Sequence, residues 1–312
     1  MHRRDFLVNS SVAAAGAAVV AQGFGPAGAA FAQTPAAMPK PTKNVFKLKY
    51  APHFGMFKAH AGEDLLDQLR FMADAGFTAL EDNGLMKRAV DVQESIGKTL
   101  AQLNMTMGVF VIDGGDNWKT SLATGKQEFK DTFVKACREA VPVAKRVNAK
   151  WATVVPGFFE RTLPIGLQTG HVIDALKHGA AILEPHGLTM VLEPLSDNPD
   201  LFLRTSDQTY MICRAVGSPS CKILYDAYHM QRNEGRVIDH INWTWDEIAY
   251  FQIGDVPGRK EPGTGEMDYR NIFKHIHAKG FTGVVGMEHG KSIRGKEGEV
   301  ALVAAYRAAD GF

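Results

Sequence analysis

From Phe46 onward, short runs rich in β-branched and aromatic residues alternate with stretches whose apolar positions recur at three- and four-residue spacing. Eight of each can be counted, with strand candidates at 46–53, 77–82, 105–112, 150–156, 188–195, 221–228, 249–256 and 283–289. Between them, 63–75 sets Leu65, Leu66, Leu69 and Met72 on one helical face, and 129–147 reads the same way. Gly76, Gly187 and Gly280 stand just before the next strand, where a left-handed residue stops a helix. Eight βα units of this length predict an α/β protein with a single closed (β/α)8 barrel over 44–312. The sixth unit is the least regular, because its helical part at 237–248 is short and carries Trp243 and Trp245. A doubly wound open sheet would require a glycine-rich phosphate turn after the first strand, and Pro52-His53-Phe54-Gly55 is not one. A barrel of about 270 residues is long enough for one domain with a large core.

The amino-terminal residues follow another pattern. Arg3-Arg4 precedes Asp5-Phe6-Leu7 and an alanine-rich apolar run to Ala21, which reads as a twin-arginine signal peptide over 1–32 with a small-residue cleavage site at Ala30-Phe31-Ala32. A flexible Pro-rich leader at 33–43 follows. The expectation is export through the twin-arginine (Tat) machinery to the periplasm. The apolar run is short and broken by glycine, and no other segment approaches the roughly 20 apolar residues of a span, so no stable membrane insertion is expected. Removing 1–32 takes away Arg3, Arg4 and Asp5 and brings the formal charge from +1 to zero, which offers no electrostatic case for nucleic acid or an anionic membrane. Cys137, Cys213 and Cys221 form no C-x-x-C spacing. Cys213 and Cys221 could pair in an oxidising compartment, but core filling is the simpler role for all three.

In a parallel barrel the chemistry sits where the strands end. Strand five ends in Val191-Leu192-Glu193-Pro194, strand six in Tyr225-Asp226, strand seven carries Phe251-Gln252-Ile253-Gly254-Asp255, and strand eight ends in Met287-Glu288-His289. Charged groups inside apolar strands are costly to bury without a partner. Glu193, Asp226, Gln252 and Glu288, converging from four adjacent strands, would repel one another unless a cation sat between them. One divalent metal ion, Mn²⁺ or Mg²⁺, suits an oxygen-rich set with almost no imidazole. The alternative for each acid taken singly is a strand-end residue satisfied by a neighbouring loop.

These segments resemble the xylose isomerase-like barrels, and most closely the hydroxypyruvate isomerases and their ketose 3-epimerase relatives. The resemblance covers most of 46–309 and is sharpest in Val191-Leu192-Glu193-Pro194-Leu195, in Asp226-Ala227-Tyr228-His229-Met230-Gln231, and in Gln252-Ile253-Gly254-Asp255-Val256-Pro257-Gly258-Arg259 with Glu261-Pro262-Gly263-Thr264-Gly265-Glu266. It implies that Glu193, Asp226, Gln252 and Glu288 hold the metal. It also implies that Glu193 and Glu288 are the catalytic acid/base pair, and that His229 and Arg259 hold substrate oxygens or a carboxylate. The loops Ser196-Asp197-Asn198-Pro199-Asp200 and Gly290-Lys291-Ser292-Ile293-Arg294-Gly295 differ from small-substrate members, and such loops select the substrate in this fold.

The chemistry follows from the residues as well. A metal on an α-hydroxy ketone acidifies the C–H between the two oxygens and stabilises the enediolate. One carboxylate takes that proton and a second returns it, giving an aldose–ketose shift or an inversion, with no organic cofactor. The expected substrate is a small keto acid or sugar, hydroxypyruvate in the first instance. An exported ketose 3-epimerase, or a keto-sugar or keto-glycoside epimerase or lyase, is the alternative. His53 and Glu266 are further substrate-binding candidates, His53 against a structural histidine and Glu266 against a loop-holding acid. Glu81 and Asp82 end strand two and either line the mouth or anchor a loop, and His289 would support the ligand beside it. Trp118, Phe158 and Phe159 sit in mouth loops, where aromatic faces stack on sugars or simply pack. A multi-zinc phosphodiesterase would need a histidine-rich cluster and a basic groove, neither visible. A non-catalytic sugar-binding protein would not need two flanking acids. The exposed helical faces of such a barrel are compatible with a homo-oligomer.

Overall fold

The computed structural model describes residues 46–312. The expected signal peptide at 1–32 and the expected leader at 33–43 lie outside the described residues. Within them the strands are β1 (Lys49–Ala51), β2 (Ala79–Leu80), β3 (Thr106–Met107), β4 (Trp151–Val154), β5 (Thr189–Leu192), β6 (Cys221–Asp226), β7 (Ile248–Gln252) and β8 (Val284–Gly286). The helices are α1 (Lys58–Ala61), α2 (Leu65–Asp74), α3 (Val90–Gln102), α4 (Gln127–Val147), α5 (Ile165–Leu183), α6 (Ser206–Val216), α7 (Ala227–Asn233), α8 (Val237–Thr244), α9 (Tyr269–Ala278) and α10 (Gly295–Ala309). No helix among the described residues is long and apolar enough to cross a membrane.

Every ladder is parallel. Six strands run in the order β1-β8-β7-β6-β5-β4, and β2 pairs with β3. Single bridges between His53 and Glu81 and between Val111 and Thr153 join the two ladders and close the cylinder. The predicted units are all present, but the strands are shorter than expected. At 221–228 the strand stops at Asp226 and α7 begins at once. The cause is local: the Asp226 side chain accepts from the Tyr228 amide at 2.9 Å and caps the new helix while its backbone still belongs to the sheet.

Strand parity organises the interior. Ala51, Ala79, Val109, Val191, Leu224, Tyr250 and Val284 pack together as a small apolar cluster apart from the larger core. Side chains two residues apart share a face of a strand. His53, Glu81, Glu193, Asp226, Gln252 and Gly286, followed by Glu288, therefore fall on the same inward face, one layer nearer the carboxyl ends. The larger core lies between staves and helices, with Leu69, Met72, Ile96, Leu176 and Phe273 buried in it. All three cysteines are buried and unbonded.

Candidate metal centre

Register brings the polar layer together. Asp226 is the direct partner of Gln252 across β6 and β7, and Gln252 is the partner of Gly286 across β7 and β8. Glu193 extends β5, its amide donating to the Val154 carbonyl at 3.3 Å. One ligand atom from each of Glu193, Asp226, His229 and Glu288 lies within 4.8 Å of the others. Glu193, Asp226, His229 and Gln252 are buried, and the Glu288 side chain is 26% exposed, so the cluster opens to solvent on that side.

The acids have one strong cationic partner. Arg259 Nη2 stands 2.7 Å from Glu288 Oε2 and 3.1 Å from Asp226 Oδ2. Burial pushes Glu193 well above the ordinary carboxyl range, with Glu288 and Asp226 adding to it and Arg259 opposing. Burial likewise raises Glu288 to about 7, while Arg259 pulls it down and Asp226 pushes it up. Two carboxyls that retain protons above their usual range mark a deficit of positive charge. Glu193 Oε1 and Gln252 Oε1 are also buried acceptors without a hydrogen-bond donor among the described residues. Orphaned acceptors are costly, and a hard dication would meet both the oxygen and the charge deficit. The donor set therefore fits a divalent metal.

His229 falls in the cluster, yet its hydrogen bonds set it apart from the oxygen donors. Its Nδ1 accepts from the Ser196 amide at 3.2 Å and lies 2.8 Å from Ser196 Oγ. Its Nε2 lies 3.1 Å from Arg259 Nη2, a group that can only donate, 3.4 Å from Asp226 Oδ2 and 3.7 Å from Glu193 Oε1, so donors face both ring nitrogens. Burial keeps the imidazole below its ordinary range.

The loop after β7 explains why its motif is so particular. The buried Asp255 carboxylate accepts from the amides of Gly263 and Gly265 at 2.9 Å and of Met267 at 3.1 Å. A side chain at Gly265 would place its Cβ 1.9 Å from the Val256 carbonyl oxygen, so that residue must be glycine. Arg259 occupies the left-handed region at φ +49°, held by its amide on Asp255 O at 2.7 Å and by the Gly290 amide on its carbonyl at 3.0 Å. This backbone directs the guanidinium back into the carboxylates. Glu261 receives the Ser292 amide at 2.9 Å and ties this loop to the one after β8.

The remaining candidates divide. His53 rests between the carbonyls of Phe54, at 2.9 Å, and His289, at 3.3 Å, outside the cluster. Glu266 is exposed and accepts from Gln231 Nε2 at 3.2 Å. His289 is buried against Tyr306 Oη at 2.7 Å, and burial lowers it to about 4. Asp82 pairs with Arg88, an anchoring contact. Trp118 and Phe158 meet edge to face at 5.8 Å. Two further residues reach this layer: Glu81, which the sequence leaves as either a mouth residue or a loop anchor, and Asn83. Asn83 donates to Glu288 Oε1 at 3.0 Å, and Glu81 accepts from Gln252 Nε2 at 3.0 Å. An acid at the parity of Ala79 was the available hint for Glu81, whereas Asn83 lies in a loop and gave none. Beside Asn83 a cavity of about 520 Å³ is lined by Lys87, Asp113, Asn117 and Trp118.

Comparison with known proteins agrees with this architecture. The family described as xylose isomerase-like TIM barrel matches residues 69–306. Hydroxypyruvate isomerase of Escherichia coli (strain K12) is 32% identical over 167 residues, 53% of this chain and 63% of that protein, so the match spans less than two thirds of that relative. A 2-oxo-tetronate isomerase of Cupriavidus necator is 27% identical over 240 residues, covering 75% of this chain and 89% of its own. The crystal structure of the 3-keto-D-glucoside 4-epimerase of E. coli superposes with a TM-score of 0.71 at 19% identity, over 85% of this chain and 100% of the other.

Proposed function

We propose, from the premise that this chain belongs to the xylose isomerase-like TIM barrel family, that it is a metal-dependent isomerase shifting a proton between adjacent carbons of an α-hydroxy-carbonyl substrate. Hydroxypyruvate is the first substrate to test, given the relatives of that name. The observation that carries the proposal is the pair of buried oxygens, Glu193 Oε1 and Gln252 Oε1, without donors beside two further carboxylates. Glu193, Asp226, Gln252 and Glu288 would hold Mn²⁺ or Mg²⁺, which when bound supplies Lewis-acid polarisation of the substrate oxygens.

The chain's own groups supply the rest. Glu193 and Glu288 stand just beyond β5 and β8 with the Asp226 and Gln252 staves between them, so a substrate carbon between the two acids is reached from both sides. One takes the proton and the other, held protonated by its surroundings, returns one to the neighbouring atom. Asn83 and Arg259 fix the two oxygens of Glu288. His229, kept in place by Ser196, and Arg259, which meets it at Nε2, hold a substrate oxygen that gathers charge in the enediolate.

One observation favours a second substrate class. The open groove beside Asn83 has room for more than a three-carbon keto acid, and its lysine, Lys87, is already paired with Asp113 at 2.6 Å. Aspartate, asparagine and an indole suit a polyhydroxylated ligand, so a ketose or keto-glycoside epimerase or lyase is the alternative. The pattern in residues 1–32 extends the proposal to action in the periplasm.

Solvent deuterium wash-in to a panel of hydroxypyruvate, ketoses and keto-glycosides, with and without Mn²⁺, tests both readings. Exchange that requires metal and is abolished by Glu288→Gln, with substrate binding still measurable, is the expected result. Unchanged exchange in that variant would remove Glu288 from the chemistry.

A further inference from the structure

A carboxyl group lies inside the barrel, in contact with the polar layer, where neither packing nor acid/base chemistry calls for it. Glu81 is 1% exposed, on the inward face of the second stave. Its Oε1 accepts from Gln252 Nε2 at 3.0 Å, and the Tyr250 hydroxyl faces the same carboxyl and favours its charged form. The Val109 amide lies 3.4 Å from that hydroxyl. Two neighbouring staves give up their side chains to make room. A Cβ on Gly286 would come 1.9 Å from Glu81 Oε1, and a Cβ on Gly108 would come 2.3 Å from the Tyr250 hydroxyl. Burying an acid costs free energy that a leucine of similar size would not. A fold that keeps this acid and clears two staves around it has a use for it.

The use follows from what Gln252 must do. A glutamine amide is nearly symmetric in shape, and only its oxygen can ligate a cation, so an unanchored amide presents the wrong end about as readily as the right one. Among the described residues, the side chain of Gln252 makes one hydrogen bond, from Nε2 to Glu81, and its Oε1 is left without a donor. We propose that Glu81, backed by Tyr250, is a positioning residue that locks the Gln252 amide with its oxygen toward Glu193, Asp226 and Glu288, and so sets the affinity and symmetry of the metal site. A carboxyl oxygen accepts an amide N–H in either protonation state, so the lock holds across pH.

This inference rests on the metal reading above, and the test separates the two. Mn²⁺ is titrated into the full-length protein by electron paramagnetic resonance, which reports both the free ion and the symmetry of the bound one. Wild-type protein that fails to bind Mn²⁺ would overturn the metal reading and the inference with it. Given binding, Glu81→Leu should weaken it about 10- to 100-fold, the usual cost of losing a group that orients a ligand, and broaden or split the bound signal. Glu81→Gln, whose carbonyl can still accept from Gln252, should stay within about threefold of wild type. In a Gln252→Leu background, Glu81→Leu should produce no further loss, because the amide it orients is gone. Tyr250→Phe, which leaves Glu81 in place, gives a smaller loss of about threefold and covers the case in which Glu81→Leu does not fold. Wild-type affinity and signal shape in Glu81→Leu, or equal losses in both backgrounds, would overturn the assignment and leave Glu81 a packing residue.

Discussion

Two layers of one barrel interior put the same staves to opposite uses. The lower layer, with Ala51, Ala79, Val109, Val191, Leu224 and Val284, is apolar and close-packed. The upper layer, two residues further along each strand, carries Glu81, Glu193, Asp226 and Gln252, with Glu288 beyond Gly286. A step of two residues, about 6.6 Å along a strand, separates residues that stabilise the cylinder from residues whose burial costs stability. Stability and chemistry are therefore segregated by height in the barrel and not by element. Tyr250 belongs to both layers, packed among the lower residues while its hydroxyl reaches Glu81.

This segregation can be broken in a graded series. The largest effect is expected from Glu193→Gln, which should lower metal-dependent deuterium exchange by about 10³-fold or more while the metal-free protein melts no lower than wild type, since a repelling buried acid has been removed. A clear loss of thermal stability would show that the upper layer holds the fold together. Leu224→Ala is the counterpart one layer down. It should cost roughly 2–5 kcal/mol in denaturant unfolding, with exchange per folded molecule nearly unchanged.

The third effect is on pH. Glu288, with an ordinary value of 4.5 raised to about 7, binds its proton more tightly folded than unfolded, and Glu193 shifts the same way. Their contribution to stability is complete below about pH 4.5 and is lost as pH rises through 7. The melting temperature of the metal-free protein should therefore fall across that window, and Glu288→Gln should flatten the slope. A slope of the opposite sign would contradict the shift. The smallest effect is expected at the rim. Glu266→Ala should change stability by no more than about 0.5 kcal/mol and exchange by less than about threefold, because the side chain is exposed and its one side-chain hydrogen bond among the described residues comes from Gln231. A larger loss in KM alone would bring Glu266 back among the substrate contacts.

Much of this was legible in order along the chain. The alternation of strand and helix periods, the glycine stops at Gly76, Gly187 and Gly280, and the acids at the ends of strands five, six and eight are all local signals, and the structure carries each of them. Strand lengths were overread, because an apolar run does not say where the ladder stops and a loop or capped helix takes over. Asp226 is the clearest case, serving at once as last strand residue, helix cap and member of the acid cluster.

Other features could not be read locally. Ser196 holds His229 Nδ1 across 33 residues, Glu81 reaches Gln252 across 171, and Asn83 reaches Glu288 across 205. The sequence alone determined the period of the fold and the kinds of side chain available at each strand end, because both depend on neighbours within a few positions. Only the tertiary structure decided which oxygens are left without donors, which nitrogen of His229 meets Ser196 and where Arg259 points. Those depend on register and closure, which bring together residues that the chain keeps far apart.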